Sequence, residues 1–144
     1  MSSMLMVLIL GLGCALGSGG AGQATPSVEV STSTLTIPTY PYVGFLQTHH
    51  SESYNMDYLW LDWPAYEASG PQPSPRDYAA LVVENPWLRL TFLPELGGRL
   101  YGVTVKATGE ELLYQNPVLK PTHWGPTEQG WWLAGGGIEW CLPV

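Results

Sequence analysis

Two stretches of strict alternation separated by a double glycine constrain this chain more than any other feature. In "WLRLTFL", Leu88, Leu90 and Phe92 share one face, and Trp87, Arg89 and Thr91 share the other. In "RLYGVTVK", Tyr101, Val103 and Val105 again share a face. A period of two is the signature of a half-buried strand. Pro94 and Gly97-Gly98 between them supply a sharp turn, which predicts adjacent antiparallel strands. "ATGEE" then reads as a hairpin loop, with "LLYQNP" as the returning partner strand. Upstream, "VEVSTSTLTI" (28–37) predicts one strand or two, and "AALVVEN" a short strand ending at Asn85-Pro86. Residues 46–77 read as an irregular surface excursion with one short strand around residues 58–63, and "SGPQPSPR" within them as loop. Residues 118–130 read as another loop. "WWLAGGGIEWCLP" reads as two short strands around three glycines. No stretch after residue 25 carries a helical stripe. With 17 Gly and 13 Pro punctuating about seven short strands, the expected fold is an all-β antiparallel sandwich.

Charge narrows the function classes. Twelve acids against five bases give a net charge of −7. This balance argues against nucleic acid, whose phosphates demand Lys and Arg. No basic residue precedes Arg76, so the first half also lacks a polybasic membrane patch. The sequence contains no metal, phosphate-loop or dinucleotide template, and no cofactor is expected.

The N-terminus reads as a processing signal. "MLMVLILGLGCAL" (4–16) is apolar but shorter than the roughly 20 residues that cross a bilayer. It matches the apolar region of an export signal. Cys14 follows Leu12-Gly13 and precedes a Gly/Ser-rich tether, an order that resembles a bacterial lipoprotein signal in which Cys14 carries the lipid. Gly11 stands where that pattern has Leu, and no basic residue opens the chain. The plainer alternative is an ordinary cleaved signal with Cys14 inert. Either reading makes residues 1–24 signal and tether, residues 25–144 the folded portion, and the protein exported. The other cysteine, Cys141, gives no disulfide framework.

Arg99 heads a strand directly after the two glycines and is therefore pinned rather than mobile. Arg is costly to bury unpaired, and its planar fork suits carboxylates and hydroxyls. Alternation in "GGGIEWCL" places Ile138, Trp140 and Leu142 on one face and Glu139 on the other with Cys141. Glu139 is thus a candidate partner for Arg99. Two readings stand: a structural Arg–Glu pair bracing two turns, or a guanidinium and a carboxylate facing a polyhydroxylated ligand. Of Trp131-Trp132, at most one lines a pocket while the other packs. Trp124 is a second candidate platform. His123 reads as a surface residue. His49-His50 with Glu52 and Asp57 nearby matches no closed metal-ligand spacing.

Taken together, "VVENPWLRLTFLPELGGRLYGVTVKATGEELLYQNPVLKP" and "WWLAGGGIEWCLP" resemble the DUF5107 family of bacterial domains, within the galactose mutarotase-like (aldose 1-epimerase-like) superfamily. The likeness spans about residues 79–143, and "LTIPTYPY" resembles the family's opening strand. It implies a β-supersandwich with a carbohydrate-facing cleft, of which this chain carries the N-terminal part. It also implies Arg99, Glu139 and Trp132 as cleft residues. The mutarotases' general-acid histidine and general-base glutamate have no counterpart at matching positions here. The expected function is carbohydrate binding; the alternatives are part of a sugar epimerase and a ligand-free structural domain. A sandwich lacking about half its strands would leave apolar faces and sheet edges uncovered and would be poorly soluble.

Overall fold

A computed structural model describes residues 27–126 and 128–140. The expected signal, Cys14 and Cys141 lie outside the described residues. Ten elements follow in order: β1 (Glu29–Thr39), β2 (Leu46–Ser51), β3 (Met56–Leu61), α1 (Trp63–Ala68), β4 (Ser74–Glu84), β5 (Leu88–Leu93), β6 (Arg99–Val105), β7 (Glu110–Glu111), β8 (Gln115–Thr122) and β9 (Trp132–Gly136). The fold is all-β and sandwich-like. One seven-stranded sheet runs β7-β6-β5-β4-β1-β8-β9, and β2-β3 form a separate two-stranded sheet.

The large sheet curls back on itself. β1 and β4 pair over their whole length, from Glu29 opposite Glu84 to Thr39 opposite Ser74. β8 joins β1 in parallel at one pair, Thr39 with Leu119. Immediately after β9, Ile138 pairs with Leu100 of β6 through reciprocal backbone bonds of 2.9 and 3.0 Å. Since β6 sits near the opposite end of the strand order, this bridge completes a hydrogen-bonded circuit and protects edges that would otherwise stand open.

Two apolar clusters fill the interior. Ile37, Tyr78, Ala80, Leu93, Leu96, Tyr101 and Leu119 form the first. Tyr42, Leu61, Tyr66 and Trp131 form the second, under the β2-β3 hairpin. Leu133 packs against both and joins them. Tyr78, fully buried, satisfies its hydroxyl on Thr39 Oγ1 at 3.0 Å.

Several sequence expectations need correction. Residues 46–77 contain a full hairpin, β2-β3, and a short helix rather than an irregular excursion. The strand expected to reach Trp63 stops at Leu61, because the Asp62 side chain accepts from Ala65 N at 3.1 Å and Pro64 suits a first helical turn. Strand β4 begins at Ser74, inside the expected loop. "LLYQNP" does not return along β6: Glu110 and Glu111 pair there, the Leu112 N–H donates to the Val103 carbonyl at 2.9 Å, and the chain then departs with the Leu112 and Tyr114 side chains exposed. Residues 118–122, expected as loop, belong to β8. Its prolines, Pro117 and Pro121, hid the strand. Pro117 falls where the β8-β9 register is broken between Gln115 and Lys120, whereas Pro121 lies opposite Leu133 one residue from the end of the strand. In β5 the register shifts between Thr91 and Phe92, so Leu93 takes the fully buried position that simple alternation assigns to Phe92's face.

Candidate functional site

The site is built where the double-glycine turn meets the end of β9. Residues Pro94–Leu96 make one tight turn, and Gly97 and Gly98 follow at φ of 71° and 70°. Side chains rarely adopt that left-handed conformation, so two glycines in succession reverse the chain and send Arg99 inward. Arg99 is 4% exposed. Nη1 donates to the Gly136 carbonyl at 2.6 Å. Nη2 donates to the Leu133 carbonyl at 3.1 Å and to Glu139 Oε1 at 2.6 Å. Its Nε is buried without a protein partner.

The glycine run on the facing segment is required by this geometry. A Cβ on Gly135 would run into Leu119 and approach Arg99 Nη1 at 3.6 Å. Gly136 and Gly137 have positive φ, and a Cβ on either would run into a neighbouring carbonyl, of Tyr114 and Leu100 respectively. The bare backbone lets Arg99 reach two carbonyls of one segment.

Glu139 completes the cluster. Its Oε1 meets Arg99 and its Oε2 accepts from the Trp132 indole nitrogen. The Glu139 side chain remains 30% exposed, whereas that of Arg99 is 5% exposed. The guanidinium is therefore the inner partner and the carboxylate the outer one. Alternation along 138–140 turns Ile138 and Trp140 outward, as their exposure confirms. Trp140, 54% exposed, donates its indole N–H to the Gly98 carbonyl at 3.0 Å, covering the turn that aims Arg99. The sequence placed Trp140 on the face away from Glu139 without foreseeing this contact, which depends on a backbone carbonyl 42 residues away.

The structure thus brings together three of the four residues expected to contact a ligand: Arg99, Glu139 and Trp132. It leaves out Trp124, which is 83% exposed and has no hydrogen bond or ring contact with the other three among the described residues. Trp124 follows His123 in a loop that faces α1 instead: His123 stacks on Trp63 at 3.8 Å between centroids, with Nε2 3.4 Å from Glu67 Oε1. Trp131 is the packed member of its pair, buried against Tyr42 and donating to the Leu59 carbonyl at 2.8 Å. His50 pairs with Asp57 at 2.8 Å and His49 stacks on Trp60 at 5.0 Å. No three His, Cys, Asp or Glu groups converge at metal-binding distance among the described residues. Nearby, burial pushes the Tyr101 phenol above its ordinary range, with a smaller contribution from the charge of Glu111.

Residues 55–144 match a family described as a domain of unknown function, DUF5107. The chain belongs to the DUF5107 family. The matched span of this DUF5107 chain contains all four expected ligand residues and the glycine run. Its backbone is also similar to a solved structure, that of a TPR-domain containing protein from Parabacteroides distasonis ATCC 8503, with a TM-score of 0.54 and 21% identity. That likeness covers 76% of this chain and 18% of the other, so the DUF5107 chain corresponds to less than a fifth of that protein's length.

Proposed function

We propose that this DUF5107 chain is a carbohydrate-binding, mutarotase-like β-sandwich portion of an exported protein. In this reading Glu139 and Trp132 face the sugar and Arg99 positions the carboxylate from behind. One observation carries the reading. A carboxylate offers about four acceptor positions, and Glu139 uses two while part of it stays open to solvent. Its charge is held by a buried guanidinium, so a sugar hydroxyl meets an acceptor already fixed in place. The adjacent indole supplies the apolar face that saccharide rings stack on. The apolar leader and Gly/Ser tether support export, and a lipid on Cys14 would hold the domain at a membrane surface.

Tryptophan fluorescence titration of the full chain with mono- and oligosaccharides tests the proposal. Saturable quenching is expected in the parent, and its loss in Glu139→Gln with an unchanged circular dichroism spectrum. No response of the parent to any saccharide overturns it.

A second reading is favoured by the near-complete burial of Arg99 and its two carbonyl contacts: the cluster fastens the β9 segment to β6 and binds nothing. Under that reading Arg99 variants lose stability and no ligand response exists to lose.

A further inference from the structure

The edge of β1 is the strongest unassigned feature of the molecule. β1 pairs with β4 along one side throughout. On its other side the described residues supply a partner only at Thr39, and for the neighbouring Tyr40 N–H. Residues 29–34 are exposed on both faces, with Val30 at 64%. A strand edge presents a row of unpaired N–H and C=O groups, and proteins usually blunt such edges with lysine, proline or a bulge. This one has none of these before Pro38: the segment "EVSTST" contains no basic residue, and its register with β4 is unbroken.

We infer that β1 is a self-pairing edge, and that its occupant is the β1 edge of a second copy of this chain, antiparallel about a two-fold axis at Thr32. The segment is complementary to itself in that arrangement. Val30 falls opposite Thr34 and Ser31 opposite Ser33, pairs of β-branched and hydroxyl side chains that stabilise antiparallel strands. Charge selects the direction. Glu29 is the only charged residue of β1. Parallel pairing sets the two Glu29 carboxylates side by side. Antiparallel pairing separates them and sets each Glu29 opposite Leu35 of the other copy, away from its like charge. A two-fold contact of this kind closes after two copies.

Light scattering of the purified full chain during size exclusion measures the mass. A dimer is expected at micromolar concentration, and a monomer for Thr32→Lys/Thr34→Lys. Both positions are exposed, and the far-ultraviolet circular dichroism of the variant should match the parent. A separate variant, Thr32→Cys, should form a disulfide between copies under mild oxidation at a level the parent does not reach, because the axis brings the two residues 32 together. A monomeric parent, an open-ended polymer, a dimer that survives the double lysine variant, or no added cross-linking by Thr32→Cys would each overturn the inference.

Discussion

Replacing Arg99 with alanine tests the central contact most directly. The substitution removes a guanidinium that is 4% exposed and makes three hydrogen bonds. Breaking a buried ion pair by deleting one partner costs about 3–5 kcal/mol, because the other charge is left without compensation. Glu139 is 30% exposed and water can reach it, which places this part at the lower end of that range. The carbonyls of Leu133 and Gly136 lose a donor, at about 1–3 kcal/mol each where water cannot replace it. These losses share one cavity and do not add. A total of about 3–5 kcal/mol is expected, a large part of the roughly 5–15 kcal/mol that holds a domain folded. The damage should concentrate where the sheet closes, at the reciprocal Leu100–Ile138 bonds. Urea unfolding followed by tryptophan fluorescence gives the stability, and hydrogen exchange of the Leu100 and Ile138 amides gives the location. Arg99→Ala/Glu139→Ala should lose less than the sum of the single variants, since it leaves no orphaned charge. A change below about 1 kcal/mol, within the range of an ordinary surface substitution, or undiminished protection of both amides, would refute the argument.

Gly137→Ala must hold a left-handed residue against the Leu100 carbonyl and should cost more than about 1–2 kcal/mol, read as a lower thermal midpoint. Tyr78→Phe should cost about 1 kcal/mol, since only the hydroxyl contact with Thr39 is lost, and Tyr78→Ala about 3–5 kcal/mol through the cavity it leaves. On the alkaline side, burial raises the phenols of Tyr42, Tyr66 and Tyr101 above the ordinary tyrosine range. Their contribution is complete below the unfolded-state value and is lost as pH rises through the folded one, so denaturant midpoints should fall in that window. On the acid side, hydrogen bonds from Arg89 and then Lys106 hold the Glu84 carboxyl below its ordinary range. Its contribution is present above the unfolded-state value and fades as pH falls through the folded one. Arg89→Ala should flatten that part of the stability profile.

Local patterns determined much of this molecule. Alternation and the Gly97-Gly98 turn located β5 and β6, and the parity of residues 138–140 put Glu139 on the face away from Ile138 and Trp140. The rest depended on partners distant in sequence. The second half of β8, residues 118–122, was invisible because Pro117 just before it and Pro121 within it read as loop punctuation. The β2-β3 hairpin carried no clean alternation because its buried end, Leu61, packs under Trp131 from the far end of the chain. The sequence offered Glu139 as a candidate partner for Arg99, but their pairing and which of them faces solvent were decided by the fold. The carbonyls of Leu133 and Gly136 reach Arg99 only after β9 has closed against β6, and by taking the guanidinium's donors they put the cation inside and leave the carboxylate at the surface. A side chain's type limits which bonds it can make; the backbone groups that compete for those bonds are brought to it by tertiary closure alone.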